Sequence, residues 1–313
     1  MNTIPLQSYN SITGYHDTVR LLRTFFLAKK FIEVETQSRL SILAACEDPM
    51  TIATYIFDGV KWPLPQTGQM WLEYDLLRNP QVPGLFCITT SYRNEPNPIS
   101  TRHLKIFPMF EFEMPGTQDD LQLLLEELFE FLGFGARDTY HCKDYETIAA
   151  KYGVSIVGSA EEARLATDFG PVFLLKNFPA RTSPFWNMKQ NNDSAKKIDS
   201  ILYGIETVGS AERSCNPTEM RNWFYTISGG AYAQRLFDEF GKARVEAELE
   251  DFLSLNFFPR CGGGIGVTRL IRARELAKQQ QIFVGAQKNG KSELLIKRGM
   301  RGLKINHRIN RED

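Results

Sequence analysis

In Phe107-Pro-Met-Phe-Glu111-Phe-Glu113-Met114 acidic and apolar residues alternate, and no other stretch constrains the chain as much. A period of two belongs to a strand whose successive side chains point to opposite faces. One face then carries phenyl rings and the other two carboxylates. Burying a bare carboxylate costs several kcal/mol, so a central strand built this way implies a cleft lined with polar groups. A second strand, Leu85–Tyr92, precedes it across a polar loop from Asn94 to His103. Arg93, Glu95, Arg102, His103 and Phe107 gather at one end of that antiparallel pair. A guanidinium fork clamps phosphate oxygens, and a ring such as Phe107 stacks on a nucleobase. On these residues alone, a hairpin carrying surface ion pairs accounts for the same charges equally well.

A second element lies near the other end of the chain. Gly262-Gly-Gly-Ile-Gly266, followed by Arg269, reads as a glycine-rich turn whose backbone N–H groups approach a phosphate at a helix start. It fits neither the dinucleotide nor the P-loop pattern, since no Lys-Ser/Thr follows and no strand–turn–helix unit opens the chain. Asp199 and Glu206 bracket a strand and have the hard oxygen chemistry that suits Mg²⁺ carried by a nucleotide; solvated acids at a strand end are the plainer reading.

The remaining periodicities outline an α+β chain without internal repeats. Val19, Leu21, Leu22, Phe25, Phe26 and Leu27 form a helical face within residues 16–30, followed by a strand through Phe31 and Val34. Residues 47–66 read as a loop with a hairpin-like excursion at Ile56–Trp62, and Gln69–Arg78 as a helix stopped by Asn79-Pro80. Thr117 with Asp120 caps a helix along Leu121, Leu124, Leu125, Leu128, Phe131 and Leu132. A helix at Tyr145–Lys151 precedes strands at Pro171–Phe178, Phe185–Lys189 and Asp199–Gly204. Helices are expected at Pro217–Tyr225, Ala231–Phe240, Lys242–Leu253 and Val267–Lys278.

Hydrophobic residues make up 42% of the 313 and charged residues 24%, the balance of a folded globular chain. With 37 Lys+Arg against 37 Asp+Glu, no global charge steers it toward nucleic acid or membrane, but residues 288–313 hold a local basic excess. No apolar run approaches the roughly 20 residues that span a bilayer, and no basic-then-apolar leader opens the chain, so no membrane partner is expected. Five scattered cysteines without a C-x-x-C pair argue against structural zinc and fit a reducing cytoplasm.

Taken together, Arg93-Asn-Glu95 … Arg102-His103-Leu-Lys-Ile-Phe107-Pro-Met-Phe-Glu111-Phe-Glu113 and Gly262-Gly-Gly-Ile-Gly-Val-Thr-Arg269-Leu resemble the second and third motifs of class II aminoacyl-tRNA synthetases, in the aspartyl/asparaginyl group. Leu21–Thr36 resembles the first motif, with Thr36-Gln37 where the family has its usual proline. The resemblance implies a catalytic domain over residues 1–280, an α+β fold with an antiparallel β-sheet flanked by helices, and a basic tail at 281–313. It implies a homodimer that binds ATP in a bent form and joins it to an amino acid as an aminoacyl-adenylate, with loss of pyrophosphate. By position, Arg93 would grip the α-phosphate, Arg102 and Arg269 the outer phosphates, and Phe107 the adenine, with Arg269 on its other face. Glu95, His103, Gly264 and Gly266 complete the ATP set, and Asp199 and Glu206 would hold Mg²⁺.

For the amino acid, the resemblance places Glu47 and Glu111 at the α-ammonium and Arg213 at the side-chain oxygen. Gln69-Met-Trp-Leu-Glu73 follows the asparaginyl pattern, with Glu73 accepting from a carboxamide, and Leu72 stands where aspartyl enzymes carry a lysine. Asparagine is therefore the favoured substrate. Ile106 and Thr268 depart from the pattern, each standing where the family has glutamate. The sequence as read opens almost directly on the catalytic segment, without the anticodon-binding barrel of full-length relatives. It thus resembles truncated paralogues, some of which are ammonia-dependent asparagine synthetases acting through aspartyl-adenylate. A non-catalytic amino-acid or ATP sensor is the other reading. The basic tail is expected either to solubilise the chain or to contact the phosphates of a tRNA acceptor.

Overall fold

A computed structural model of the chain describes residues 12–36, 42, 51–95 and 104–288. Its strands are β1 (Ile32–Glu33), the separate hairpin β2 (Thr54–Phe57) and β3 (Val60–Pro63), then β4 (Leu85–Tyr92), β5 (Ile106–Pro115), β6 (His141–Asp144), β7 (Val172–Pro179), β8 (Gln190–Asn191), β9 (Ser194–Leu202), β10 (Ile205–Glu212) and β11 (Arg260–Gly266). All except the hairpin form one sheet in the order β1-β4-β5-β11-β10-β9-β7-β6, with β8 attached to β9. The expected antiparallel sheet is present at the centre. The two outermost pairs, β1–β4 and β6–β7, run parallel, which makes the whole sheet mixed. Both are joined by long connections that contain helices, the kind of crossover a parallel pair requires.

The helices are α1 (Ile12–Ala28), α2 (Gln69–Arg78), α3 (Gln118–Phe131), α4 (Tyr145–Tyr152), α5 (Ser159–Asp168), α6 (Pro217–Thr226), α7 (Ala231–Phe240), α8 (Lys242–Leu253) and α9 (Val267–Lys288). The two faces of β5 explain how they pack. Phe110 and Phe112 point to the side covered by α1, α3 and α9, where the ring of Phe26 lies 5.0 and 5.1 Å from theirs. Leu121, Leu124, Leu125 and Leu128 of α3 close that core, each fully buried apolar side chain contributing about 1.5–3 kcal/mol. The start of α3 is fixed as expected, because the backbone N–H and hydroxyl of Thr117 both donate to Asp120 Oδ2. On the opposite face α6, α7 and α8 pack through Trp186, Phe224 and Tyr232 onto Ala195 and Ala211, covering one end of the sheet. On the same face α4 and α5 cover Phe173, Leu175 and Ile201 and α2 covers Leu85 and Cys87, which leaves a cleft between them.

Several elements differ from the sequence expectations. Phe185–Lys189 is no strand: it turns at Trp186–Asn187 and makes a single β-bridge, from Met188 to Arg213. Trp186 and Asn187 are consecutive and both fully buried, a demand that an alternating strand does not meet. Strand β9 begins at Ser194, well before Asp199, and β10, β6 and α5 are additional. The glycine-rich segment is a central strand and not a phosphate turn. A Cβ on Gly262 would stand 2.2 Å from the Phe112 carbonyl oxygen and one on Gly263 2.6 Å from that of Gly209, so glycine is what lets these strands approach. Helix α9 runs to Lys288, across the expected start of the tail at 281. Among the described residues no helix is long and apolar enough to cross a membrane.

Candidate active site

The open face of the sheet lines a cavity of about 370 Å³. Register places its walls: Glu111 on β5 faces Gly264 on β11, which faces Gly209 on β10, which faces Asp199 on β9. Glycines occupy the middle of this row, so the charged groups stand on either side of a low floor. Arg93, Glu95 and Phe107 border one end, joined by Gly266 and Arg269 where β11 turns into α9. Gln69, Glu73 and Arg213 border the other. The loop that would hold Arg102 and His103, and the segment with Glu47, lie outside the described residues.

At the first end the charges converge. The Arg93 guanidinium lies 5.4 Å from the centroid of the Phe107 ring, and Arg269 Nη1 donates to the Glu206 carbonyl at 2.9 Å and to its Oε2 at 3.2 Å. Lys197, which the sequence reading passes over, borders the same cavity and holds Asp199 Oδ2 at 3.1 Å. Burial pushes the Glu206 carboxyl up, but the nearby charges of Arg269, Lys197 and Arg93 outweigh it and hold the group below its ordinary range.

Asp199 and Glu206 are the residues that would hold a nucleotide-borne Mg²⁺. Lys197 and Arg269 engage Asp199 Oδ2 and Glu206 Oε2, while Asp199 Oδ1 and Glu206 Oε1 stand 3.6 and 3.8 Å from a Cβ built on Gly209, on either side of the low floor. Mg²⁺ is usually bound by one or two carboxylates together with substrate phosphates and water, and this pair of oxygens suits that arrangement. The glutamate expected beside Arg269 is Thr268.

The other end is a hydrogen-bonded network of buried charges. Glu111 is buried and accepts from the Gly68 N–H at 2.8 Å and from the hydroxyls of Thr67 and Thr89. Burial pushes its carboxyl up despite these donors. Glu73 Oε2 accepts from Arg260 Nη2 at 2.8 Å and Nε at 3.2 Å, while Oε1 receives Asn187 Nδ2 at 2.7 Å and lies 3.3 Å from Arg213 Nε. Arg213 also donates Nε and Nη2 to Glu113, at 3.3 and 3.2 Å. Two buried carboxylates and two buried guanidiniums thus neutralise one another. Burial, partly countered by Arg213, pushes Glu113 up to about 7.

Two atoms remain for a ligand. Arg213 Nη1 makes none of these bonds. Gln69 donates Nε2 to Glu113 and to the Phe112 carbonyl at 2.9 Å, which leaves its buried Oε1 without a donor. A buried acceptor left unsatisfied costs about 1–3 kcal/mol, a penalty that an incoming N–H relieves.

Arg260, Asn187 and Lys197 escaped the sequence reading. For Lys197 the signal existed: it stands two residues before Asp199, hence on the same face of any strand containing both. For Arg260 the only hint was an arginine opening a glycine run.

Residues 7–282 match the family described as tRNA synthetases class II (D, K and N). A curated relative, the aspartate–tRNA(Asp) ligase of Pyrobaculum aerophilum, is 29% identical over 105 residues, or 34% of this chain and 22% of that protein. Asparaginyl-tRNA synthetase from Pyrococcus horikoshii, solved with asparaginyl-adenylate, superposes with a TM-score of 0.69 at 18% identity, covering 85% of this chain and 65% of that one. Aspartyl tRNA synthetase from Entamoeba histolytica gives 0.63 at 17% identity, covering 84% and 54%. The chain therefore spans less than two thirds of each relative, and likeness at such identities speaks for the fold.

Proposed function

The chain belongs to the class II tRNA synthetases (D, K and N), and we propose that it activates an amino acid with ATP, forming an aminoacyl-adenylate and releasing pyrophosphate. The observation that carries this reading is that one cavity joins an end lined by Arg93, Arg269 and Phe107 to an end lined by Gln69, Glu111 and Arg213. The first suits a nucleotide, the second an α-amino acid.

The substrate carboxylate is already the nucleophile at neutral pH. Its oxygen forms a bond to the α-phosphorus while the bond from that phosphorus to the pyrophosphate oxygen breaks, and no proton moves. The chain's residues need only position the reactants and meet charge. Arg93 faces the developing charge on the α-phosphoryl oxygens, Arg269 the departing phosphates, and Phe107 stacks on the adenine. Glu111 and Gln69 Oε1 receive the α-ammonium.

Asparagine remains the favoured substrate, on a reason different from the one the sequence suggested. The Glu73 oxygens are occupied by Arg260, Asn187 and Arg213, so the glutamate is not the direct acceptor of a carboxamide. With both carboxylates ionised the network around it is neutral, however, and a neutral side chain that accepts from Arg213 Nη1 leaves that balance undisturbed. A second carboxylate would upset it, which weighs against the ammonia-dependent synthesis of asparagine from aspartate. The reading extends to a homodimer in the cytoplasm with tRNA as acceptor. ATP–pyrophosphate exchange with each amino acid tests it: exchange with asparagine is expected, exchange with aspartate alone would favour the ammonia-dependent reaction, and none with any would favour a sensor.

A further inference from the structure

We propose that Asn187 is a specificity-determining residue of the amino-acid end, its Oδ1 taking the side-chain N–H of a carboxamide substrate that Glu73 is not free to take. The inference rests on the activation reading above and identifies the atom that tells a carboxamide from a carboxylate. A primary carboxamide presents an acceptor and two N–H donors on one carbon, and a buried site for it must meet both kinds of atom.

Arg213 Nη1 meets the carbonyl oxygen, but the carboxylates around it are engaged. Glu73 Oε2 receives two N–H groups of Arg260, and Oε1 receives Asn187 Nδ2 at 2.7 Å with Arg213 Nε at 3.3 Å. Glu113 receives Arg213 and Gln69, while Glu111 receives Thr67, Thr89 and the Gly68 N–H. Gln69 Oε1 goes to the α-ammonium. One further acceptor of this end has no donor: Asn187 Oδ1, on a side chain without any exposure.

Its place matches the need. Asn187 Nδ2 and Arg213 Nε meet on the same oxygen of Glu73. Asn187 Oδ1 shares a carbon with the first of these nitrogens and Arg213 Nη1 shares one with the second, so a free acceptor and a free donor belong to two planar groups joined at one oxygen. The oxygen and nitrogen of a carboxamide are the complement of that pair. The backbone holds the two groups together, because the Ser214 N–H donates to the Asn187 carbonyl at 2.8 Å and Met188 bridges to Arg213. Met70 borders the cavity and its Sδ lies 3.1 Å from Asn187 Nδ2, which puts the amide directly behind the cavity wall. A thioether on three rotatable bonds yields to an incoming group. A carboxylate in the same place would set acceptor against acceptor and leave Asn187 Oδ1 unpaired.

The test is ATP–pyrophosphate exchange by wild type, Asn187→Leu and Asn187→Thr with asparagine, aspartate and the β-methyl ester of aspartate. The ester keeps the carbonyl oxygen for Arg213 but has no side-chain N–H. Wild type is expected to favour asparagine over the ester in kcat/KM by about tenfold or more, because the ester leaves a buried acceptor unpaired. In both variants that ratio should fall to within about threefold of one. A purely structural role for Asn187 would instead lower exchange with both substrates alike and leave the ratio as it is. Thermal melts establish that the proteins are folded, and Asn187→Thr, which keeps a hydroxyl to donate toward Glu73, carries the test if Asn187→Leu is not. A ratio near one in wild type, or the wild-type ratio retained in a folded variant, overturns the role of Asn187 and leaves the activation reading intact. Wild type that exchanges with aspartate alone, or with none of the three, overturns the asparagine reading and this role together.

Discussion

Arg260 Nη2 lies 2.8 Å from Glu73 Oε2, and both side chains have no exposure at all. The pair locks β11 to α2 beneath the amino-acid end of the cleft, and Asn187 and the Ser214 carbonyl complete its hydrogen bonds. Removing one member of such a pair leaves an uncompensated buried charge and costs about 3–5 kcal/mol. Arg260→Met should therefore lower unfolding stability by that amount in urea titrations. Loss below about 1 kcal/mol would mean that the network is not carrying structure. The same logic makes Glu73→Lys a folding defect rather than a switch from asparagine to aspartate.

Arg93→Ala should reduce pyrophosphate exchange by about 10²–10³-fold, the usual effect of removing one charge-stabilising donor, with an unchanged melting temperature. The residue borders a polar cavity and anchors no core. Exchange retained within threefold of wild type would remove Arg93 from the mechanism.

Glu113 gives a pH dependence. Its carboxyl stands at about 7 in the fold, above the ordinary value of 4.5, so the folded state binds more protons in between. Stability contributed by this group is full below the unfolded value and is lost as pH rises through about 7. Unfolding free energies at pH 5 and pH 8 should fall less steeply for Glu113→Gln than for wild type. An equal fall in both proteins would assign it elsewhere.

Two glycines on neighbouring strands should behave oppositely. Gly262→Ala would drive a Cβ to 2.2 Å from the Phe112 carbonyl and should destabilise by at least about 1–3 kcal/mol. At Gly209 the Cβ has room, so Gly209→Ala should melt like wild type while its ATP affinity falls, because the methyl group raises the floor between Asp199 and Glu206. Melting curves and ATP titrations of both variants check the contrast.

The sequence was most legible where period and chemistry agreed. In β4 and β5 the alternation fixed both the strands and the face that carries Glu111 and Glu113, and Thr117 with Asp120 marked the start of α3. Legibility failed where a third party decides the local structure. The glycine run is a strand because β5 and β10 close on it from both sides, a packing demand that composition does not reveal. Strand β10, in Ile205-Glu-Thr-Val-Gly-Ser-Ala-Glu212, has small residues where a bulky alternation would announce it. Within the site, residue types forecast the cavity border at Arg93, Phe107, Glu111 and Arg269. They did not reveal that Arg260 takes up Glu73 or that Lys197 takes up Asp199, because those partners come from distant elements and from an unrecognised strand start.

The two-faced strand β5 bears on how the chain finds its fold. If β5 slid by one residue against β4 and β11, Phe110 and Phe112 would enter the cleft and Glu111 and Glu113 the phenyl core. Among the alignments sampled during folding, only one gives both carboxylates their partners: Thr67, Thr89 and the Gly68 N–H for one, Arg213 and Gln69 for the other. These two buried acids thus proofread strand pairing. An insertion or deletion of one residue inside β5 would accordingly abolish the native sheet along with the site, whereas exchanging one core phenyl for another apolar side chain would leave the alignment in place.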